Sequence, residues 1–124
     1  MKVIDCYKRA VAFLPEDIED NPDMKKYMVN WCNQLLADTL DVENSYRIAN
    51  GLPRLTEPLT VTYEEDEIPY NEKLVSQAFP YGMARWIFLE DEKIGLAREY
   101  YAYYVSATQA ATPVIIGEVK DVYQ

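Results

Sequence analysis

The stretch Ile68–Ala111 reads IPYNEKLVSQAFPYGMARWIFLEDEKIGLAREYYAYYVSATQAA. Apolar residues recur at three- and four-residue spacings on both sides of the acidic run Glu90-Asp91-Glu92, which predicts two amphipathic helices. A polar joint this short makes two helices antiparallel neighbours. Asn71 is expected to cap the first helix and Asp91 the second, because both side chains can accept a bond from a free N–H group. The rest of the chain is therefore expected to pack on a helical hairpin.

Two further helices are predicted before the hairpin. The first covers Val3–Leu14 and ends at a proline, and an acidic loop over Glu16–Asp23 follows it. The second is a single long helix from about Asp23 to Asn50. Gly51 stands where a helix commonly ends in a left-handed residue, and Pro53 prevents continuation. The acidic residues of the long helix are expected to face water.

The segment between the long helix and the hairpin is predicted to be non-helical. Leu59–Tyr63 alternates and is rich in β-branched residues, which indicates a short strand. The acidic run Glu64-Glu65-Asp66-Glu67 follows it. Three interpretations of this run stay open: a solvated loop, a surface that repels phosphates or like charges in an assembly, and a divalent-cation site. Within the hairpin, Pro80 is expected to kink its helix, and Gly82 to let a neighbouring helix approach closely.

The C-terminal residues form an apolar run that becomes polar. Pro113 cannot continue the last helix, and Val114-Ile115-Ile116 follows it. The chain is accordingly predicted to have one helical domain over residues 1–112 and an extended tail over residues 113–124. This tail either folds back on its own domain or docks on another subunit by strand addition.

Composition limits the classes of function. The chain has 124 residues, a formal net charge of −9, no histidine and two cysteines. Catalysis by Ser-His or Cys-His pairs is excluded without histidine, and the acidic balance argues against an ordinary nucleic-acid binder. The cysteines are too few and too far apart for a disulfide scaffold or a metal pair. No apolar run reaches the roughly 20 residues of a membrane helix. We expect no catalytic site, metal or cofactor, and no membrane partner.

The fold class that follows is mainly α. It is a small bundle of about four helices with the hairpin as its core, a short β-strand or hairpin excursion, and the extended C-terminal tail.

Several motifs, taken together, resemble the head–tail connector, or head-completion adaptor, proteins of tailed bacteriophages and prophages. The motifs that carry this resemblance are Arg47–Leu55, Glu65–Tyr70, Phe79–Ala84, Glu90–Glu92, Tyr100–Tyr104 and Asp121–Tyr123.

The resemblance implies a structural subunit of the virion that is assembled in the bacterial cytoplasm. Such proteins form a ring below the portal protein, extend the DNA channel and dock the tail through a tail-completion protein. The acidic run Glu64, Glu65, Asp66 and Glu67 would then face the channel, where acidic groups let DNA pass without binding it. A head-to-tail ring needs two different surfaces on each subunit. The residues expected to supply them are Tyr100, Tyr103, Tyr104, Val114, Ile115, Ile116, Val122 and Tyr123.

Two other functions compete with this expectation. The chain would alternatively be a small acidic helical module for protein binding or regulation that dimerises through its tyrosine-rich helix, with the tail folded back on its own domain. The third possibility is an enzyme that uses the acidic run with a metal.

Overall fold

The computed structural model describes residues 1–15 and 22–113, and these residues are mainly helical, as predicted. There are five helices of at least ten residues and one of a single turn. They are α1 (Val3–Ala12), α2 (Pro22–Lys25), α3 (Met28–Asp38), α4 (Leu40–Ala49), α5 (Glu72–Glu90) and α6 (Ile94–Ala111). The loop residues 16–21 and the predicted tail from residue 114 onward lie outside the described residues.

Helices α5 and α6 form the antiparallel hairpin that the sequence predicts. A Cβ atom built on Gly82 of α5 would lie 3.0 Å from the Tyr104 ring of α6. The Arg85 guanidinium lies over the Tyr101 ring. A residue nearer the end of α5 therefore contacts a residue nearer the start of α6, as it must in an antiparallel pair. That same Gly82 Cβ atom would lie 2.6 Å from Leu35 of α3, so the predicted close approach at this glycine is confirmed.

Helix α5 is the centre of the fold, since α1, α3 and α6 all pack against it. Phe79, Met83 and Ile87 of α5 are fully buried, and Tyr7 of α1 and Leu36 of α3 join them in one continuous apolar core. Burying a side chain of this size contributes about 1.5–3 kcal/mol to the free energy of unfolding. A helix whose apolar residues extend this far around it is typical of a core position.

The predicted long helix is divided, which is a correction to the sequence analysis. The break between α3 and α4 falls at Thr39, which is buried and has φ −106° and ψ 15°. The Thr39 hydroxyl donates a 2.7 Å bond to the Leu35 carbonyl, one turn earlier. A β-branched residue that bonds back in this way favours a bend in a helix. The helix is interrupted at Thr39, although its N–H still bonds the Leu35 carbonyl and its carbonyl accepts from the Glu43 N–H. A second break, at Lys26 and Tyr27, separates the single turn α2 from α3.

The predicted strand at Leu59–Tyr63 does not form in the described part of the chain. The partner of Val61 is a side chain instead of a neighbouring strand. The Val61 N–H donates to Asn33 Oδ1 at 2.8 Å, and the Val61 carbonyl accepts from Asn33 Nδ2 at 3.0 Å. Asn44 forms the same pair of bonds with Leu55, at 2.8 and 3.0 Å. Two asparagines thus satisfy backbone groups that a strand would pair with a second strand.

Glu43 is buried, although the sequence analysis places it in water. It is 2% exposed. Its Oε1 accepts bonds from the backbone N–H and the side-chain amide of Asn71, at 2.6 and 3.0 Å. Its Oε2 pairs with the Arg47 Nε at 2.8 Å. The Asn71 side chain in turn caps α5 by accepting a 3.0 Å bond from the Leu74 N–H, which confirms the predicted cap.

Helices α4 and α5 end in the same motif. After α4, Gly51 has φ 68°, its N–H bonds the Ile48 carbonyl, and the N–H of the next residue bonds the Arg47 carbonyl. After α5, Glu92 has φ 59°, and its N–H bonds the Leu89 carbonyl. The N–H of the next residue, Lys93, bonds the Phe88 carbonyl. This is the Schellman arrangement, in which a left-handed residue ends the helix.

The Schellman motif explains why the cap predicted at Asp91 is wrong. Asp91 is the residue that ends α5. Helix α6 begins at Ile94, and Lys93, which precedes it, forms no side-chain capping bond. The Asp91 carboxylate pairs instead with the Lys93 ammonium group at 3.2 Å.

Candidate assembly surface

Among the described residues, the largest connected group of aromatic rings joins the end of α1 to α5 and α6 and extends from the core to the surface. We call it the aromatic cluster and define it as Phe13, Tyr81, Phe88, Tyr100 and Tyr103. The Phe13 and Tyr81 rings stack with their centroids 5.1 Å apart, and Tyr100 lies 5.2 Å from Phe88. The Tyr103 ring meets Tyr100 edge-on at 5.2 Å. Aromatic pairs in such geometries add about 0.5–1.5 kcal/mol each beyond the area they bury.

The aromatic cluster contains two of the four tyrosines predicted from the sequence to lie at an interface, Tyr100 and Tyr103. Tyr100 is half-buried and Tyr103 is 43% exposed. The Tyr103 hydroxyl donates a 2.7 Å bond to the Glu99 carboxylate, which raises the pKa of Tyr103, with the nearby Glu99 charge as the next cause. Burial raises the pKa of Tyr100. Both phenols therefore stay neutral and present an apolar body with a polar tip to the surface.

Tyr104 is placed elsewhere. It is 3% exposed and packs on Gly82, and its hydroxyl donates a 2.7 Å bond to the Asp38 carboxylate of α3. Burial and that bond raise the pKa of Tyr104 well above its usual range. It ties α6 to α3 within its own chain, so it is not part of the exposed surface.

A groove opens on the other side of α6, toward the start of that helix. Its residues are Arg85, Leu89, Ile94, Ala97, Arg98 and Tyr101, and its volume is about 260 Å³. Ile94 is 57% exposed and Tyr101 is 45% exposed. Their three- and four-residue spacing places both residues on the predicted apolar stripe of the second hairpin helix, and Tyr101 also lies in the tyrosine-rich segment through which the alternative module would dimerise. An apolar stripe does not tell how much of its width a neighbouring helix covers, so the exposure of Ile94 and Tyr101 could not be predicted from the spacing.

The backbone of the acidic run is hydrogen-bonded to the N-terminal residues of the chain. The Val3 and Ile4 N–H groups, at the start of α1, bond the carbonyls of Asp66 and Glu64 at 3.0 and 2.9 Å. Helix α1 has no side-chain cap, so these carbonyls satisfy its first free donors. Lys2 and Glu67 form an isolated antiparallel bridge.

The carboxylates of the acidic run have different positions. The Asp66 Oδ2 accepts bonds from the backbone N–H groups of Thr62 and Tyr63, at 2.8 and 2.9 Å. These bonds lower the pKa of Asp66, with the Tyr63 bond the larger cause. Glu67 pairs with the Met1 amino group at 3.0 Å and Glu65 pairs with Lys2 at 3.5 Å.

Three of the four carboxylates nevertheless face water. Glu64, Glu65 and Glu67 are exposed, and the ion pairs cover little of them. The remaining predicted interface residues, Val114, Ile115, Ile116, Val122 and Tyr123, lie outside the described residues.

The described residues bring together no group of three or more histidine, cysteine or acidic side chains that could hold a metal ion. Cys6 and Cys32 are both buried as free thiols. Burial raises the pKa of both thiols, that of Cys32 to about 12. Neither thiol is available as a thiolate nucleophile in the folded chain. Within the described parts of the chain, no helix is both long and apolar enough to cross a membrane.

Comparison of this chain with protein-family models, with curated proteins and with solved structures finds no match.

Proposed function

We propose that this chain is a structural subunit of a bacteriophage or prophage particle. In this proposal it is a head–tail connector that forms a ring below the portal protein, extends the DNA channel and docks the tail through a tail-completion protein. The observation that carries the proposal is the surface of α6. This helix lies at the outside of the bundle and presents Ile94, Tyr101 and Tyr103 to solvent, each more than 40% exposed.

An exposed apolar helix surface is what a subunit of a ring requires. Tyrosine is enriched at protein interfaces, where its ring supplies contact area and its hydroxyl finds a polar partner. The aromatic cluster and the groove lie on different sides of α6, so one subunit carries two unlike apolar surfaces. Two unlike surfaces are the requirement of a head-to-tail contact, in which each copy uses one surface toward each neighbour.

The charges of the chain are compatible with a DNA channel. The net charge is −9, and the exposed carboxylates of Glu64, Glu65 and Glu67 are clustered at one end of α1. An acidic channel wall does not form the phosphate contacts that would hold passing DNA. In the proposed ring these three residues face the channel, and DNA passes without specific binding.

Light scattering and electron microscopy of the full chain mixed with a portal protein from the same genome would test the proposal. Rings of the chain on the portal are the expected result. A Tyr103→Ser variant should assemble less, whereas Ile48→Ser, which changes a residue 49% exposed on α4, should assemble like the unaltered chain. A chain that neither binds portal nor forms rings would contradict the proposal.

A second candidate function rests on the aromatic cluster. The five rings form one connected group whose exposed part includes Phe13 and Tyr103, 36% and 43% exposed, and a symmetric dimer could bury that exposed part. The chain would then be a small acidic binding or regulatory module. A dimer that is closed, of fixed size and indifferent to portal would favour this second function.

A further inference from the structure

We propose that the groove between α5 and α6 receives residues 114–124 of a second copy of this chain. The groove is the one lined by Arg85, Leu89, Ile94, Ala97, Arg98 and Tyr101. This proposal rests on the ring-forming role proposed above, and it names the contact that would join neighbouring subunits.

The groove has an apolar floor and two exposed ends. Ala97 is almost fully buried between the two helices, and Leu89 is partly buried beside it. Ile94 and Tyr101 stand at the two ends, 57% and 45% exposed. A few apolar side chains of a partner would fill a space of about 260 Å³. Burying them would contribute about 25 cal/mol for each Å² of apolar surface that leaves water.

Two arginines give the groove a positive edge. The Arg85 guanidinium carbon lies 4.2 Å from the centroid of the Trp86 ring and 4.9 Å from that of Tyr101. Its position is held by cation–π contacts, which leave the guanidinium N–H groups free to bind a carboxylate. Among the described residues, no carboxylate forms an ion pair with Arg85 or Arg98. The residues that line the groove thus carry two positive charges and no carboxylate, on a chain whose net charge is −9.

The chain itself contains a segment of matching chemistry. Residues 114–124 read VIIGEVKDVYQ. The apolar residues Val114, Ile115 and Ile116 suit the floor of the groove. Glu118 and Asp121 follow them closely enough to reach the arginines of the edge, because extended residues advance about 3.3 Å each.

The reach of the chain shows that Val114, Ile115 and Ile116 cannot fill the Ile94 end of the groove from within their own chain. Helix α6 rises about 1.5 Å per residue, so Ala111 lies about 26 Å from Ile94 along the helix. The five residues from Ala111 to Ile116 span at most about 18 Å even when fully extended. Ile116 therefore cannot reach Ile94 in its own chain. Only another copy can place the apolar run at that end of the groove.

Disulfide trapping between two full-length variants tests this contact. One variant carries Ile94→Cys, and the other carries Ile116→Cys and a short tag that separates the mixed dimer by size. Cys6 and Cys32 are buried, so they do not compete under native conditions. After mixing and mild oxidation, we expect severalfold more mixed dimer than in a matched mixture in which Ile48→Cys replaces Ile94→Cys. Ile48 is 49% exposed on α4 and lies outside the groove.

Two results would overturn the proposal. One is a yield of mixed dimer no higher than with Ile48→Cys. The other is a disulfide within a single chain when one molecule carries both Tyr101→Cys and Ile116→Cys, because Tyr101 lies about 15 Å from Ala111 along α6 and is within reach of Ile116 in the same chain. A thermal melt of each reduced variant verifies that it is folded before the yields are compared.

The test contains no portal protein, so its outcome is separate from that of the connector role. Mixed dimers from a chain that never binds portal would support the groove contact and contradict the connector function. Rings on portal without mixed dimers would support the function and contradict the contact.

Discussion

Glu92 occupies a backbone position that favours glycine. Its φ of 59° matches the 68° of Gly51, and both residues end a helix in a Schellman motif. A left-handed conformation costs an L-residue with a side chain roughly 1–2 kcal/mol, whereas glycine adopts it freely. The Glu92→Gly variant should therefore raise the free energy of unfolding by about 1 kcal/mol, part of the gain being lost to the greater freedom of glycine in the unfolded chain.

Urea unfolding of the variant measures this gain, and Ala102→Gly is its control. Ala102 is exposed within α6, where glycine costs about 1 kcal/mol relative to alanine. The two glycine substitutions should thus have opposite signs. A loss of stability in both would show that Glu92 is not strained.

Because of Asp66, we expect the free energy of unfolding to depend on pH in the acidic pH range. Its folded pKa is lowered from 3.8 because its carboxylate accepts backbone bonds from Tyr63 and Thr62. A lowered pKa contributes stability that is present above the unfolded value and is lost as the pH falls through the folded value. The Asp66→Asn variant should hence be less stable than the unaltered chain at neutral pH, and the difference should shrink below pH 3.8.

Urea midpoints at neutral and acidic pH would check the Asp66 prediction. Glu64→Gln is the matched control, because the Glu64 carboxylate accepts no bond from the described residues. The urea midpoint of Glu64→Gln should differ little from that of the unaltered chain at both pH values. If the midpoint of Asp66→Asn differs from that of the unaltered chain by the same amount at both pH values, the Asp66 carboxylate does not have the lowered pKa that its backbone bonds predict.

At the scale of the element, Glu43 connects three parts of the chain. It lies on α4, binds the residue that caps α5, and pairs with Arg47, whose Nη1 also donates to the Pro53 carbonyl at 3.3 Å. Glu43→Ala leaves the Arg47 charge without its partner and the Asn71 N–H without its acceptor. Breaking a buried charge pair in this way costs about 3–5 kcal/mol.

Chemical denaturation would measure this loss, with Glu57→Ala as the matched substitution. Glu57 is exposed in the segment between α4 and α5, and substitution there should change the free energy of unfolding by less than about 0.5 kcal/mol. Comparable effects at the two positions would mean that Glu43 does not hold the start of α5.

Helices are the elements that the sequence predicts well, because their evidence is local. The periodicity of α5 and α6, the cap at Asn71 and the glycine after α4 all act within a few residues. The segment between α4 and α5 differs, because its bonds come from distant side chains. Asn33 pairs with a residue 28 positions away, and no local pattern distinguishes it from any other asparagine on a polar helix surface. The β-branched residues near Val61 therefore predict a strand that the fold replaces with a side-chain contact.

The candidate surface is predictable only in part for a related reason. Neighbouring residues of a helix point about 100° apart. Tyr103 is consequently exposed while Tyr104 is buried against α3. A run of tyrosines shows that a helix carries aromatic surface, but the side that a third helix covers depends on tertiary packing.

At the scale of the whole molecule, the two proposed functions differ in where the apolar tail binds: on another copy of the chain, or on its own domain. In the connector function Ile115 and Ile116 contact another copy, so replacing both with serine should abolish assembly and leave the melting temperature of the monomer unchanged. In the alternative function the tail packs on its own domain. Each isoleucine would then bury apolar surface worth about 1.5–3 kcal/mol, and the same variant should melt about 10 °C lower or more.

Sedimentation velocity and calorimetry on one preparation of the Ile115→Ser/Ile116→Ser variant separate these outcomes, and Ile48→Ser serves as the reference for both. Ile48 is 49% exposed, so its replacement should alter neither assembly nor melting. We expect the double variant to lose assembly. Its melting temperature should equal that of the unaltered chain when calorimetry is done at a dilution at which both are monomers, because assembly stabilises only chains that are bound to a neighbour. A lower melting temperature with assembly retained would instead place the tail on its own domain and contradict the groove contact between copies.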